Sequence, residues 1–208
     1  PHIRELCLDG MYFDKRDLRA IRSLVSNLPD LQVLSLKLAR TLDAEEPILV
    51  RRSSATGMTL GCLEQFTIAF PSPLDGIFDL LPVRLRHLSL RDCPQYYFLQ
   101  DPDEENSLWD LRLAMPILTA SECLAILQRC HCPHLRSLEL VYRADGEEDA
   151  LFAHIVASFP LLAKFELHRY REYGDEDVPM VRVLLYLSLG HYVHGLHSRS
   201  TLRKCSPC

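Results

Sequence analysis

Glycine is scarce in this chain, 8 of 208 residues, and there is a single tryptophan. So little Gly, beside only 13 Pro, excludes collagen-like and low-complexity classes. Also missing are a glycine-rich phosphate loop, a nucleophile elbow and a metalloprotease helix motif. Ser, His and Asp occur, but no spacing pairs them, so no enzyme is expected and no cofactor. A membrane-spanning run is absent too. Spanning takes about 20 mostly apolar residues, and the best stretch, Val178 to Leu189, is interrupted by Arg182 and followed by His191 and His194. The opening Pro1-His2-Ile3-Arg4 has neither the basic start nor the apolar core of a signal peptide, and no initiator Met, so it reads as the start of a fragment or trimmed chain.

What is present is ordinary globular material with one excess. Hydrophobic residues make up 48 %, charged residues 25 %, and the net charge is −5, which excludes disorder over the whole length. Leucine, however, occurs 39 times. A coiled coil does not account for it, because no heptad continues across Pro29, Pro47, Pro71 and Pro82. The eight cysteines do not form the compact framework of a short secreted domain. Cys7, Cys62, Cys93 and Cys123 are scattered among apolar neighbours, as buried thiols are in a reducing compartment, cytoplasmic or nuclear.

The leucines fall into a recurring phrase: apolar, two variable residues, apolar, one variable residue, apolar. It appears as Ile3–Leu8, Leu31–Leu36, Leu63–Ile68, Leu85–Leu90, Leu108–Leu113, Leu135–Leu140 and Leu162–Leu167, at spacings of 28, 32, 22, 23, 27 and 27 residues. Leu184–Leu189 is a candidate eighth copy. These intervals match or approach the roughly 20–29 residues of a leucine-rich repeat. The terminal alternation of each phrase is a strand of period two with one buried face. A strand so short needs neighbours, and the spacing leaves room for a helical crossover between parallel strands. Helices are expected over Asp17–Leu28, after the capping box Thr119-Ala-Ser-Glu122, over Glu148–Phe159 and, more weakly, over Leu74–Leu81. Asp14 or Asp17 is the candidate cap of the first.

The expected fold is therefore α/β: a leucine-rich-repeat solenoid over residues 1–189 with about seven to eight repeats, strands in a parallel sheet on the concave face and short helices on the convex face. Residues 190–208 are expected to form a poorly ordered tail.

The Pro-x-Leu-x-x-Leu-x-Leu style of Leu28-Pro29-Asp30-Leu31, Cys132-Pro133-His134-Leu135 and Phe159-Pro160-Leu161-Leu162 resembles the repeats of F-box leucine-rich-repeat proteins of the divergent fungal type. Leu85-Arg-His-Leu-Ser-Leu-Arg-Asp-Cys93 is similar to that family's cysteine-containing repeat, while Ala39, Pro71, Pro116 and Arg143 stand where other copies would carry the cysteine. The resemblance implies the substrate-recognition region of an SCF-type ubiquitin-ligase subunit, with the repeats holding a protein substrate. A Skp1-type adaptor would bind through an F-box that this chain does not contain. The alternatives are a regulatory repeat scaffold without a ubiquitin link and, with little beyond the fold to favour it, a GTPase-activating repeat protein.

Binding would use the residues alternating with the buried leucines. Lys37, His87, Arg91 and Arg112 are expected near the middle of that surface, with Glu139 and Glu166 toward one end and Glu5 and Asp9 at the other. Such mixed charge suits a protein partner and disfavours nucleic acid, which takes a continuous basic patch. Acidic runs at 43–46, 101–105, 145–149 and 172–177 hold 15 of the 28 acidic residues, as a rim for a basic partner or as carboxylates favoured at helix N-termini. The loop Tyr96-Tyr97-Phe98 is either a binding hot spot or a cover for the core edge. Metal is not expected: Cys130-His131-Cys132 lacks the usual Cys-x-x-Cys spacing, and Cys205-Ser-Pro-Cys208 has no second pair.

Overall fold

The alternation at the end of six of the phrases makes a strand, and these six lie in register. The computed structural model describes residues 2–12, 15–41, 48–52, 58–91, 113–114 and 117–170. The strands are β1 (Glu5–Tyr12), β2 (Val33–Thr41), β3 (Gln65–Ala69), β4 (His87–Arg91), β5 (Leu113–Ala114), β6 (Ser137–Arg143) and β7 (Lys164–Tyr170). Six of them form one all-parallel sheet in the order β1-β2-β3-β4-β6-β7. The helices are α1 (Lys15–Ser26), α2 (Ala120–Leu127) and α3 (Glu148–Ser158), with a 3-10 helix over Gly76–Leu80.

Register stacks like on like. One ladder runs Leu6, Leu34, Phe66, Leu88, Leu138, Phe165, and the next Leu8, Leu36, Ile68, Leu90, Leu140, Leu167. Members on the four inner strands are buried, while those on β1 and β7, each with one neighbour among the described residues, are half-buried. Each fully buried Leu or Phe contributes about 2 kcal/mol of hydrophobic stabilisation.

The backbone repeats as strictly as the side chains. The first leucine of five copies, Leu31, Leu63, Leu85, Leu135 and Leu162, donates its N–H to the carbonyl three residues earlier, at 2.9–3.2 Å. The second residue of five copies offers one carbonyl to two N–H groups of the copy on the neighbouring strand. Arg4, Gln32, Glu64, Arg86 and Arg136 all accept such a pair, at 2.7–3.0 Å. A tight turn and a forked hydrogen bond thus start each strand at the same place.

The helices differ from expectation in detail. Helix α1 covers Lys15–Ser26 instead of Asp17–Leu28 and buries Leu18 and Val25, while Leu24 is 41 % exposed. Helix α2 has the full capping box: the Thr119 hydroxyl accepts from the Glu122 N–H, and the Glu122 carboxylate accepts from the Thr119 N–H at 2.8 Å. The weak helix over Leu74–Leu81 is the 3-10 helix, held short by the buried Asp75 carboxylate at its start and by Pro82 soon after its end. Asp75 accepts N–H groups from Leu49 at 2.7 Å, Val50 at 3.0 Å and Ile77 at 2.9 Å, tying the 49–50 and 75–77 stretches together. Gly76 completes the junction. Its N–H reaches the Val50 carbonyl at 2.7 Å, and a Cβ there would lie 2.9 Å from that same oxygen.

One expectation is overturned. The Leu108–Leu113 phrase does not supply a parallel strand between the fourth and sixth copies. Strand β4 pairs directly with β6, and both edges of β4 are occupied. Leu113 and Ala114 instead run antiparallel against Thr41 and Arg40, on the edge of β2 opposite β1. Residues 108–112, the phrase at Leu184–Leu189 and the expected tail over 190–208 lie outside the described residues.

Candidate functional site

Parallel register fixes what stands beside what on the sheet face opposite the core. Three cross-strand rows result. The first is Glu5, Val33, Gln65, His87, Ser137, Lys164; the second is Cys7, Ser35, Thr67, Ser89, Glu139, Glu166. The third joins Asp9 to Lys37, Ala69 to Arg91 and Val141 to His168. Ala69 and Val141, which also alternate with the buried leucines, are 6 % and 4 % exposed.

Skipping the fifth phrase corrects the expected charge distribution. Glu139 does not stand apart from the basic centre, because β6 lies against β4. Its carboxylate accepts the Ser89 hydroxyl at 2.6 Å and pairs with the Arg91 guanidinium at 3.6 Å. Arg91 and Glu139 are 31 % and 20 % exposed as side chains, a half-buried pair on a rigid sheet. Next to it Glu166 pairs with Lys164 at 3.1 Å and with His168 at 3.4 Å. The Lys164 hydrogen bond, foremost, holds the Glu166 carboxyl below its ordinary pKa against the opposing effect of burial, and His168 adds to the lowering. At the far end of the same row, Cys7 is exposed; burial and then the Glu5 carboxylate, at 3.6 Å, push its thiol up.

The structure thus brings Lys37, His87, Arg91, Glu139 and Glu166 onto one face. Arg112, Tyr96, Tyr97 and Phe98 lie outside the described residues, as do the acidic runs at 43–46, 101–105 and 172–177. The acidic run that is described is engaged within the molecule. Asp145 accepts the Ser121 N–H at 3.0 Å and hydroxyl at 2.5 Å and the Glu147 N–H at 3.1 Å. Burial would raise the Asp145 pKa, but those bonds outweigh it and hold the carboxyl at about 2. Glu148 takes the Arg169 guanidinium at 3.0 Å. This run therefore organises the starts of α2 and α3, as the helix-terminus reading has it.

Ser89, Lys164 and His168 complete the charged centre, although the sequence singled out none of them as binding residues. Their signal was present in the phrase, since each alternates with a buried leucine or phenylalanine; what was missing was which strands are neighbours. Cys130 and Cys132 behave as core thiols. Their sulfurs donate to the carbonyls of Ile126 at 3.3 Å and Pro82 at 3.6 Å, and burial pushes both up, Cys132 to about 12. Cys7, Cys62, Cys123, Cys130 and Cys132 are all free.

Among the described residues no helix is long and apolar enough to cross a membrane. Comparison of the chain with family models, with curated proteins and with solved structures returns no match.

Proposed function

We propose that the chain is a leucine-rich-repeat solenoid whose polar sheet face holds a protein partner, and that it serves as the substrate-recognition region of an SCF-type ubiquitin-ligase subunit. One observation carries the binding part of this reading: the alternating residues of six strands are held in register on a single surface by the same forked hydrogen bond at every junction. Such a surface works by rigid display. Its side chains are already placed before a partner arrives, so little ordering entropy is lost on binding. The mixture of Asp9, Lys37, His87, Arg91, Glu139 and Lys164 suits a partner of equally mixed charge. The ubiquitin-ligase part rests on the resemblance of Leu85–Cys93 and of the Pro-containing turns to F-box repeat proteins.

Two experiments test the two parts separately. A photo-crosslinking residue at Thr67, on the face, is expected to capture one defined protein that the same residue at Arg22, on α1, does not. Equal capture from both positions removes the binding face from this sheet. Full-length protein is expected to co-purify with Skp1; failure to do so sinks the ubiquitin-ligase reading and leaves a repeat scaffold.

A further inference from the structure

Glu139 and Glu166 stand directly opposite one another on β6 and β7, and His168 follows one alternation later on the same face. Like charges in register on adjacent strands repel. One carboxylate oxygen from each glutamate and one His168 ring nitrogen all lie within 4.8 Å of one another. We propose that Glu139, Glu166 and His168 form a binding site for a divalent transition-metal cation, with zinc the ion whose ligand chemistry fits best. This inference is independent of the docking reading.

The donor set is the first argument. Two carboxylate oxygens and one imidazole nitrogen are ordinary zinc ligands, and three protein ligands with one open position are the pattern of an accessible zinc site. Two carboxylates also neutralise a doubly charged ion. Preorganisation is the second argument. Glu139 is the fixed arm, one of its oxygens held by the Ser89 hydroxyl at 2.6 Å, the kind of outer contact that orients a metal ligand. Glu166 and His168 are the adjustable arms, with side chains 45 % and 41 % exposed. A tetrahedral ion with bonds of about 2.1 Å brings its ligand atoms to about 3.4 Å apart, and rotation of these two exposed side chains supplies that closure.

The groups facing the cluster define the competition. Lys164 lies 3.1 Å from Glu166 and Arg91 lies 3.6 Å from Glu139. The metal takes over the role of the Lys164 ammonium beside Glu166.

The test is titration of the whole chain with cobalt(II) as the probe, read by its ligand-field absorption, and with zinc by calorimetry. The expected result is a cobalt spectrum of oxygen and nitrogen ligation without thiolate charge-transfer bands. Affinity is expected to fall at least tenfold in Glu166→Gln and in His168→Ala, and to hold or rise in Lys164→Ala, which removes the competitor. These side chains are exposed, so the variants are expected to keep the far-ultraviolet circular dichroism of the parent. Absence of uptake, a spectrum of thiolate ligation alone, or uptake unchanged in both ligand variants overturns the proposal.

Discussion

Arg129 grips both carboxylate oxygens of Asp79, with Nε and one terminal nitrogen each 2.7 Å from an oxygen. The remaining donors reach inward, to the Pro73 carbonyl at 2.7 Å and to the Asp75 carbonyl, while the guanidinium carbon lies 5.8 Å from the centre of the Phe78 ring. One side chain just beyond the end of α2 thus closes the 73–79 segment over the core. Arg129→Ala is expected to cost about 2 kcal/mol, since the buried carbonyls lose a charged donor while the half-exposed Asp79 regains water. Arg129→Lys should recover less than half of that, because an ammonium cannot form the fork. Urea denaturation of the three proteins decides it; equal stability of the lysine variant and the parent would show that charge alone suffices.

Acid should weaken the fold through the same region. Asp79 is held below its ordinary value of 3.8 chiefly by the Arg129 hydrogen bond, and Asp145 is held at about 2. A carboxyl whose pKa is lowered on folding contributes stability above its unfolded value and loses it as pH falls through its folded value. The expected loss therefore begins below about pH 4 and continues to about pH 2. Asp75, raised by burial against the pull of three N–H groups and Arg129, works in the opposite direction and offsets part of it. In Asp145→Asn, denaturation midpoints measured across that range should fall less steeply; a slope equal to the parent's would remove Asp145 from the account.

Strand position should set the cost of truncating a repeat leucine. Leu88 is 2 % exposed and sits between two strands, whereas Leu6 is half-buried on β1, at one end of the described sheet. Leu88→Ala is expected to cost about 3 kcal/mol and Leu6→Ala about 1 kcal/mol. Thermal unfolding of the pair is the measurement, and equal losses would contradict the ladder as described.

These leucines also show how far a single sequence can be read. The phrase locates a strand wherever Leu34, Phe66, Leu88, Leu138 or Phe165 recurs, because burial on one face is a local pattern. The Thr119–Glu122 capping box is equally local. Which strands touch is not local. Leu108–Leu113 carries the same phrase as its neighbours, yet β4 meets β6 without it. That single skip moves Glu139 beside Arg91 and turns a predicted separation of charge into an ion pair. Asp75 escaped notice for a related reason. Its N–H donors come from Leu49, Val50 and Ile77, and no spacing in the chain announces such a meeting.

Thiol chemistry should sort the cysteines by depth. Burial, with minor help from Glu122 and Asp145, pushes Cys123 up to about 12, and burial alone does the same to Cys132. At pH 8 a thiol of that kind is only about one part in ten thousand thiolate. Iodoacetamide should therefore label the exposed Cys7 and half-buried Cys62 in native protein, Cys7 slowly because its own pKa is raised, and reach Cys123, Cys130 and Cys132 only after denaturation. Peptide mass spectrometry reads the order directly. Prompt native labelling of Cys132 would mean that the turn before β6 opens.

If the sheet face is for display, its central ion pair should matter little to folding. Arg91 and Glu139 stay 31 % and 20 % exposed, and their 3.6 Å separation is that of an ion pair rather than a strong hydrogen bond. Pairs of this kind contribute about 0–1 kcal/mol, so Arg91→Ala, Glu139→Ala and the double variant should each lie within about 1 kcal/mol of the parent. The coupling in the cycle should be about 0.5 kcal/mol. Ser89→Ala should be similarly mild, since the Glu139 oxygen it leaves is reached by water. A cost above about 2 kcal/mol for either single variant would class the pair with buried structural networks. The polar face would then be built for stability, and the proposed docking surface would lose its centre.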